Sequence, residues 1–456
     1  MRSRKIRHAT IAAIATGIVL AGCASDPASN EVQTAEGTSP GEGVEGCEDL
    51  TQFGDLTGTE VAVYTSIIAP EDAAHQASYE KFTECTGAEV AYEGSNQFET
   101  QLIVRVRGGN APDIAYVPQP GLLGTLVDTG SVVPAPEPTA DNVDEWWGED
   151  WKGYGTVDDT FYAAPLGANV KSFVWYSPKM FQENGWEVPE TWDDMVALSE
   201  DIAASGTKPW CVGIESGEAT GWVLTDWLED ALLRDAGPDV YDQWVEHEIP
   251  FDDPQVVESL DRVGDIVKNP DFVNGGHGDV NSIATTTFQD GGLPILKGDC
   301  AMHRQASFYA AQWPEGTDIS EDGEIFAFYL PTTNEDNGRP VLGGGEFTVA
   351  FDDRPEVQAF QTYLSSDVWA NEKAEATPDG GWVSANTGLD VELLNNPIDR
   401  LSAETFQDPE AVFRFDGSDQ MPSAVGAGSF WKEMTSWVTG DDSEAALANI
   451  EDSWPN

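Results

Sequence analysis

The chain has 456 residues, 40% of them hydrophobic, and carries 22 basic against 81 acidic side chains for a net charge of −59. This length suits two domains of roughly 100–200 residues each, and the apolar content excludes a disordered polymer. Such an acidic surface repels phosphate backbones and anionic headgroups, which argues against nucleic acid as a partner. We attribute the charge to solubility or salt tolerance rather than to a selective cation site, because surface charge alone does not make a site.

The amino-terminal segment has the pattern of an export signal. Four basic residues precede an apolar run at residues 11–21 that is too short to anchor in a bilayer. The stretch Leu20-Ala-Gly-Cys23 is similar to a bacterial lipobox, which implies removal of residues 1–22 and acylation of Cys23, palmitate included. The alternative is an ordinary signal peptide with an incidental cysteine. No later apolar run approaches the roughly 18 residues of a membrane span, so we expect a soluble body attached to the membrane through lipid only.

Cysteine usage predicts two disulfides. If Cys23 carries lipid, the four remaining cysteines allow three pairings in an oxidising compartment. We favour Cys47–Cys85 and Cys211–Cys300 because each pair falls inside one proposed domain. No C-x-x-C motif occurs, so the cysteines indicate neither zinc nor redox chemistry.

The first ordered part of the chain alternates apolar runs with helix-like segments. Residues 24–58 are rich in Ser, Pro, Gly, Thr and Glu, which is typical of a flexible tether. After it we predict strand, helix, strand, helix and strand at residues 60–66, 71–86, 88–93, 98–107 and 113–117. This order is typical of βαβ units with a parallel sheet. Ligands of such sheets bind outside the carboxyl ends of the strands, where Ser66, Asn96, Gln97 and Gln119 follow.

The remainder continues the α/β pattern. We predict strands at residues 173–177, 210–214, 298–302 and 325–329, and another strand after residue 347. Helices are predicted at residues 191–205, 222–235 and 253–268, with Thr191 as the cap of the first. Helical segments dominate the rest of the chain.

Motifs of common enzymes and metal sites do not occur. The chain lacks G-x-S-x-G, H-E-x-x-H and G-x-x-x-x-G-K, and its five histidines are scattered. Asp318-x-Ser320-x-Asp322-Gly323 begins like a calcium loop, but its twelfth position is Tyr329 instead of Glu. We therefore expect no catalytic residue, metal or cofactor. A glycosidase with a pair of catalytic carboxylates stays an open alternative, because such a pair is recognised by the distance between its carboxyl groups in the folded protein and not by a sequence motif.

Sixteen tryptophans are a heavy aromatic load, and many lie in loop-like contexts. Sugars are held by flat aromatic faces together with planar amide or carboxylate groups. Loops at residues 215–222, 343–346 and 380–382 combine these groups with glycine, which permits close backbone approach. For any single tryptophan, packing between domains is the competing explanation. The set as a whole favours a carbohydrate cleft.

A set of short motifs extends this interpretation to a family. They are Gly109-Asn-Ala-Pro-Asp-Ile114, Ala164-Pro-Leu-Gly-Ala168, Trp175-Tyr-Ser-Pro-Lys179, Pro189-Glu-Thr-Trp192, Gly298-Asp-Cys-Ala-Met302 and Gly343-Gly-Gly-Glu346. In this order, from about residue 60 to the C-terminus, the chain resembles the first family of bacterial extracellular solute-binding proteins. These are the sugar-binding lipoproteins of ABC importers, and the chain is most similar to α-glucoside binders.

The resemblance implies a two-lobed α/β fold of the type II periplasmic-binding-protein kind, with each lobe a sheet flanked by helices and a hinge of crossing strands. We expect residues 59–168 plus 330–368 to form lobe 1, and residues 169–329 plus 369–456 to form lobe 2. The crossings are expected near residues 167–171, 328–331 and 366–369.

By the same analogy, eight residues should line the ligand cleft: Gln97, Glu99, Gln119, Asn169, Trp222, Phe308, Glu346 and Trp382. Phe308 stands where sugar binders often carry a tryptophan. The implied protein is a monomeric receptor on the extracytoplasmic face of the bacterial membrane, which hands an α-glucoside or short oligosaccharide to ABC permease subunits. Two alternatives remain: the same fold binding a cationic or other small solute, and a secreted glycoside hydrolase.

Overall fold

A computed structural model describes residues 40–408 and 410–455. The predicted signal peptide at residues 1–22, the predicted lipidation site Cys23 and the first part of the predicted tether lie outside the described residues. The strands, in chain order, are β1 (Glu60–Thr65), β2 (Glu89–Gly94), β3 (Ile114–Val117), β4 (Thr156–Val157), β5 (Thr160–Phe161), β6 (Ala163–Pro165), β7 (Asn169–Val170), β8 (Phe173–Tyr176), β9 (Lys208–Cys211), β10 (Val273–Asn274), β11 (Cys300–Arg304), β12 (Phe326–Tyr329), β13 (Arg339–Gly344), β14 (Phe347–Ala350) and β15 (Ala411–Phe415).

The α-helices, in chain order, are α1 (Asp72–Ala77), α2 (Glu80–Thr86), α3 (Phe98–Arg107), α4 (Pro120–Val127), α5 (Glu137–Trp146), α6 (Glu149–Tyr154), α7 (Pro178–Asn184), α8 (Trp192–Ser205), α9 (Trp222–Asp235), α10 (Pro238–Val245), α11 (Pro254–Val267), α12 (Phe288–Gly291), α13 (Pro355–Ser365), α14 (Asp367–Glu375), α15 (Pro397–Gln407), α16 (Gly417–Gln420), α17 (Trp431–Val438) and α18 (Ser443–Glu451). Short 3₁₀ helices lie at Glu48–Phe53, Gly217–Ala219, Val280–Thr285, Leu293–Lys297, Ser307–Gln312, Glu335–Asn337 and Val391–Leu393, and a π-helical turn at Val425–Phe430. Among the described residues, none of these helices has both the length and the apolar character needed to cross a membrane.

The first sheet has five strands in the order β2-β1-β3-β14-β6. Its first three strands are parallel, with Val61 opposite Val90 and Val63 opposite Ile114, as the βαβαβ pattern predicts. Strand β14 runs antiparallel to both β3 and β6. All four residues of β3 are buried, because helices cover both faces of the sheet centre.

The second sheet also has five strands, in the order β10-β9-β11-β8-β12. Strands β10, β9 and β11 are parallel, whereas β8 runs antiparallel to both of its neighbours. Helix α9 packs against this sheet with twelve of its fourteen residues buried. A helix that is apolar on one side and buried nearly all round lies in the interior of a large core, and its charged residues must find partners there.

A third, smaller sheet joins the segments that pass between the two larger ones. Its order is β15-β13-β7, with β13 parallel to β15 and antiparallel to β7. The chain leaves the first sheet after β6 and enters the second with β8, so the first crossing lies at the predicted residues 167–171.

The other two crossings differ from the prediction. Strand β12 belongs to the second sheet and β14 is the next strand in the first, so the return runs through β13 instead of residues 328–331. Helix α14, which covers the predicted third crossing at residues 366–369, stays with the first sheet. Trp369 is buried in the core of that sheet, and its Nε1 donates to Ser78 Oγ at 3.0 Å. Residues from Met421 onward pack in the core of the second sheet. Trp369, Ala370 and Ala374 thus pack with the first sheet, whereas the division of the chain into two lobes stays a prediction.

The end of the predicted tether is folded. Leu50 and Leu56 are buried beside Cys47, and the Leu56 N–H donates to the Thr86 carbonyl at 3.0 Å. Two disulfides are formed. The Cα–Cα distance is 5.3 Å between Cys47 and Cys85 and 5.6 Å between Cys211 and Cys300. The predicted pairing is thus confirmed, whereas a flexible tether extending to residue 58 is wrong because apolar burial and the first disulfide hold residues 40–58 against α2.

Removing the first disulfide should loosen this segment. The double substitution Cys47→Ala and Cys85→Ala, which opens a bridge spanning 38 residues, is expected to lower the free energy of unfolding by about 2–4 kcal/mol. Limited proteolysis should then cut within residues 40–58. The matched pair Cys211→Ala and Cys300→Ala should lower stability without exposing that segment. Equal resistance of residues 40–58 in both variants would contradict the assignment.

Candidate functional site

A cavity of about 620 Å³ opens where loops from the two larger sheets meet. Ser66, Ser95 and Pro118 line it and directly follow β1, β2 and β3. The cavity therefore lies at the carboxyl ends of the parallel strands, which is where open α/β sheets bind ligands. The second sheet contributes the loop after β9 and the 3₁₀ helix after β11, and the third sheet contributes Asn169 and Gly344.

Seven of the eight residues predicted from the sequence line this cavity: Glu99, Gln119, Asn169, Trp222, Phe308, Glu346 and Trp382. Gln97 does not, although it had been assigned to the same loop. Gln97 is exposed at the N-terminus of α3, where its N–H donates to Ser95 Oγ at 3.1 Å, and its neighbour Asn96 lies in the wall instead. The cap geometry turns the Gln97 side chain towards solvent.

Aromatic rings enter the cavity from both cores. Trp222 packs against Phe288 at 5.2 Å and against Phe308 at 6.1 Å between ring centroids. On the other side, Trp382 meets Trp369 edge to face at 5.5 Å. Each ring is thus braced by a second aromatic residue, which fixes the plane that it offers to a ligand.

Two hydrogen bonds connect the loops of the two sheets across the cavity. Gln312 Nε2, which follows β11, donates to Glu71 Oε1 at 2.8 Å, and Glu71 follows β1. Thr100 Oγ1 on α3 donates to Glu218 in the loop after β9. The two sides of the cavity are therefore held together by direct contacts between polar side chains.

Carboxylates dominate the polar part of the wall. The acidic lining residues are Glu71, Glu99, Glu215, Asp290, Glu346, Asp416 and Asp419, and Lys171 is the one Lys or Arg side chain in the described lining. Burial and the charge of Glu346 raise the pKa of Glu71 to about 8 in spite of the nearby Lys373. Burial also raises the pKa of Glu99 and of Glu346. Several wall carboxyls are thus held towards their neutral form, in which they both donate and accept hydrogen bonds.

A buried ion cluster lies behind the Trp222 ring. Lys171 Nζ pairs with Asp226 at 3.0 Å, with Asp416, and with Asp419 at 4.0 Å. Burial alone would lower the pKa of Lys171, but the charges of Asp226 and Asp416 raise it well above its ordinary value. Lys171 is therefore a permanent cation in the wall.

The same cluster has spacing that could hold a metal ion. Asp226, Glu229 and Asp416 each offer an oxygen within 4.8 Å of the others. The ammonium of Lys171 already pairs with two of these carboxylates, and Glu229 accepts the N–H groups of Gly417 and Ser418 at 3.1 and 3.0 Å. Lys171 and two backbone N–H groups thus already occupy at least one oxygen of each of the three carboxyl groups.

Besides the imidazole Nδ1 of His75, three buried or half-buried polar atoms of the wall lack a hydrogen-bond partner among the described residues: Gln119 Oε1, Asn169 Oδ1 and Trp431 Nε1. Buried polar groups nearly always find a partner, so an unpaired group in a cavity wall is suited to a ligand. The set contains two acceptors and one donor, which matches the mixed character of hydroxyl groups.

Sequence reasoning missed several lining residues, including Glu71, His75, Phe288, Asp416, Asp419 and Trp431. Glu71 and His75 fall in the helix predicted at residues 71–86, so they were not considered as loop residues of the cleft. Residues 416–431 fall in the part of the chain for which only helical segments are predicted. One signal was available. The apolar run Ala411–Phe415 is a strand, and Asp416-Gly-Ser-Asp419 follows its carboxyl end.

Comparison with known proteins identifies the family to which the chain belongs. A sequence profile described as bacterial extracellular solute-binding protein matches residues 66–371. The osmoprotective compounds-binding protein GgtB of Synechocystis sp. is 40% identical over 421 residues, covering 91% of this chain and 95% of that protein. The alpha-glucosides-binding periplasmic protein AglE of Rhizobium meliloti is 35% identical over 426 residues, covering 89% of each chain.

Solved structures share the fold at low sequence identity. The bacterial solute receptor AcbH, described with a preference for β-D-galactopyranose, superposes with a TM-score of 0.71 at 18% identity, covering 86% of this chain and 98% of that one. RafE from Streptococcus pneumoniae superposes with a TM-score of 0.64 at 18% identity, covering 87% and 98%. At this identity the likeness establishes the fold alone.

The raised pKa of Glu71 predicts a pH-dependent stability. Because the pKa in the folded chain is about 8 against an ordinary 4.5, the stability associated with the protonated group is fully present below pH 4.5 and is lost as the pH rises through 8. Glu71→Gln, which stays neutral, should therefore gain stability relative to the parent chain as the pH rises. Denaturant unfolding below pH 4.5 and above pH 8 measures this, with the exposed Glu392→Gln as control. Parallel pH profiles for Glu71→Gln and the parent chain would show that Glu71 ionises freely.

Proposed function

Since the chain belongs to the bacterial extracellular solute-binding proteins, we propose that it is the extracytoplasmic binding component of an ABC importer that takes up a carbohydrate, an α-glucoside or a short oligosaccharide. The fold is the type II periplasmic-binding-protein fold that the sequence predicted. Members of this family are binding proteins of transporters, and in this proposal the ligand leaves chemically unchanged.

The cavity wall is the observation that carries the carbohydrate assignment. A sugar ring has apolar C–H faces and a rim of hydroxyl groups, and it is held by aromatic faces and paired hydrogen bonds. Trp222 and Trp382 supply braced aromatic rings from opposite cores. Gln119 and Asn169 supply planar amides with unpaired oxygens. The cavity volume of about 620 Å³ lies in the usual range of small-molecule sites.

The protonation of the wall supports a neutral ligand. Burial raises the pKa of Glu71, Glu99 and Glu346, so these groups resist becoming full anions. A neutral hydroxyl group can pair with a carboxyl in either protonation state. A relative whose name gives α-glucosides as its ligand supports the α-glucoside class within the carbohydrates.

A cationic solute is the second candidate, and the excess of carboxyl groups over Lys171 in the wall favours it. A bound cation would convert the raised carboxyls to anions, because an opposite charge nearby favours the ionised form. Binding of a cation should thus release protons and strengthen as the pH rises, whereas binding of a neutral sugar should depend weakly on pH.

The remaining parts of the proposal concern the setting of the receptor. We propose that Cys23 carries the lipid that holds the protein on the outer face of the cell membrane, and that the protein acts there as a monomer. The segment at residues 23–39 then links the anchor to the body, which begins at the disulfide-bonded Cys47. Tethering raises the effective concentration of the receptor at its permease partners.

Sugar binding should depend on both tryptophans. Trp222→Ala and Trp382→Ala are each expected to weaken binding by about 1–3 kcal/mol, because each removes an aromatic face from the ligand. Calorimetry with maltose, trehalose, sucrose and raffinose measures the affinity, and denaturant unfolding measures stability. Trp186→Ala, at a half-buried position outside the cavity, is the matched control.

Two outcomes would contradict this prediction. Unchanged affinity with lower stability would make the two tryptophans core residues only. Binding of spermidine, a cation, or of glycine betaine, a zwitterion, with no binding of any of the four sugars, would replace the carbohydrate assignment with that of a cationic or other small solute.

Lipid anchoring is tested separately by Cys23→Ser. The variant should appear in the soluble fraction, and uptake of the bound sugar by cells should fall, because the receptor diffuses away from its permease. Its affinity for the sugar should equal that of the parent chain, since Cys23 is remote in sequence from every cavity residue. Retention of Cys23→Ser at the membrane would argue against the lipobox interpretation.

A further inference from the structure

The turn at residues 416–419 presents a carboxyl group that the site described so far does not use. Asp416 Oδ1 accepts the Ser418 hydroxyl at 2.7 Å and the Asp419 N–H at 3.1 Å. Glu229 accepts the N–H groups of Gly417 and Ser418. Three of these four hydrogen bonds hold backbone N–H groups of the turn, and the fourth joins two of its side chains.

Within that rigid turn, the side chain of Asp419 is the exception. It is 8% exposed, lines the cavity, and accepts no hydrogen bond from the described residues. Lys171 Nζ, 4.0 Å from Oδ2, is the cation beside it, whereas the carboxyl groups of Asp416, Asp226 and Glu99 lie near enough to oppose its ionisation. A carboxyl held by a rigid backbone and one ion pair has lone pairs left for a ligand.

A second, independent feature points to the same place. The indole N–H of Trp431, a residue only 4% exposed, lines the cavity without an acceptor among the described residues. Gln119 Oε1, on a residue 4% exposed, is also unpaired there. An acceptor and a donor, both buried and both facing one cavity, indicate a polar ligand group between them.

The packing of two glycines brings these groups together. The first turn of α4, which follows Gln119, lies against the carbonyl of Met421, and only glycine fits at Gly121 because a side chain would overlap that carbonyl. Gly221, which immediately precedes Trp222 in sequence, packs in the same way against the carbonyl of Trp431. Asp419 and Trp431 are thus anchored between α4 and the start of α9.

We propose that Asp419, Trp431 and Gln119 form a subsite for two adjacent hydroxyl groups of one sugar ring, with Lys171 as the residue that positions Asp419. The proposal rests on the carbohydrate function. Each hydroxyl donates one hydrogen bond and accepts others. The Trp431 N–H therefore donates to one hydroxyl, while the Asp419 carboxyl and the Gln119 oxygen accept from the pair. Trp222, whose ring centroid is 5.7 Å from Lys171 Nζ, supplies a face for the same ring.

This arrangement distinguishes hydroxylated rings from methylated ammonium groups. A methylated ammonium group has no hydrogen-bond acceptor for the Trp431 N–H and no donor for Gln119. Leaving such buried groups unpaired costs affinity, and sites built for hydroxyl groups reject analogues that lack them.

The first experiment measures affinity by calorimetry with whichever of maltose, trehalose, sucrose and raffinose binds the parent chain most tightly. Asp419→Ala is expected to weaken binding about 10- to 100-fold, because it leaves hydroxyl groups of the bound sugar buried without a hydrogen-bond partner. Trp431→Phe keeps the aromatic ring and removes only the N–H, so about 3- to 10-fold is expected. Asp353→Ala, at an exposed position outside the cavity, should change nothing.

The second experiment tests the role of Lys171. Lys171→Met should weaken binding about as much as Asp419→Ala, and the double variant should be no weaker than the weaker single one, because both changes remove the same interaction. Lys171→Arg keeps the charge and should recover part of the affinity. Additive effects of Lys171→Met and Asp419→Ala would refute the positioning role. If Lys171→Met does not fold, the comparison of Lys171→Arg with and without Asp419→Ala decides the same question.

The outcomes separate this inference from the function on which it rests. If none of the four sugars binds the parent chain and spermidine or glycine betaine does, the carbohydrate function itself fails. If a sugar binds the parent chain, and both Asp419→Ala and Trp431→Phe bind it with the parent affinity, the subsite is refuted while the function stands.

Discussion

The ammonium of Lys171 is the interaction on which the architecture of the cavity depends. Burying a charge costs several kcal/mol unless partners surround it, and Lys171 is 7% exposed with carboxylates of Asp226 and Asp416 beside it. These partners come from three separate parts of the chain: the first crossing, helix α9 and the turn after β15. Because the loss of one member leaves its partners as uncompensated buried charges, the cluster stabilises the arrangement in which these three segments meet. Lys171 and Asp416 also line the cavity, so the cluster sets the position of this part of the cavity wall.

The ion pairs continue from the cavity towards the crossing strands. Arg304 pairs with Asp230 at 3.0 Å, and Asp230 also accepts the Ser172 hydroxyl at 2.9 Å. Ser172 follows β7, and its hydroxyl oxygen accepts the Leu342 N–H of β13 at 2.9 Å. Arg234, paired with Asp230, donates to the carbonyls that flank the return segment between β12 and β13. Helix α9 thus contributes the charged residues that hold the cavity wall and also those that hold the strands joining the sheets. The cavity wall and the crossing strands are therefore connected through this one helix.

Features of the fold that depend on neighbouring residues could be predicted from the sequence, whereas features that depend on packing between distant segments could not. Helices α3 and α9 begin and end at the predicted residues, and Thr191 caps α8 by accepting the Asp194 N–H at 3.1 Å. Those boundaries follow from local cues such as caps and closing glycines. The third crossing was misplaced because it depends on which core receives Trp369 and which receives Met421, and a hydrophobic sequence does not specify one core over another. Likewise, seven cavity residues were found by family analogy, whereas Asp416 and Asp419 follow a strand, β15, that had not been predicted.

The acidity of the chain and the chemistry of its cavity have different causes. The net charge of −59 comes from 81 acidic residues, most of which lie outside the cavity and face water. Inside the wall, burial opposes ionisation of Glu71 and Glu346, and the cation of Lys171 offsets the charge around Asp416. The cavity therefore presents hydrogen-bonding groups of mixed donor and acceptor character in place of a simple anionic surface. An acidic composition alone would point to a cationic ligand. The environment of Glu71, Glu99 and Glu346 opposes that expectation, because burial raises the pKa of each, and a neutral carboxyl binds a hydroxyl group without having to become an anion.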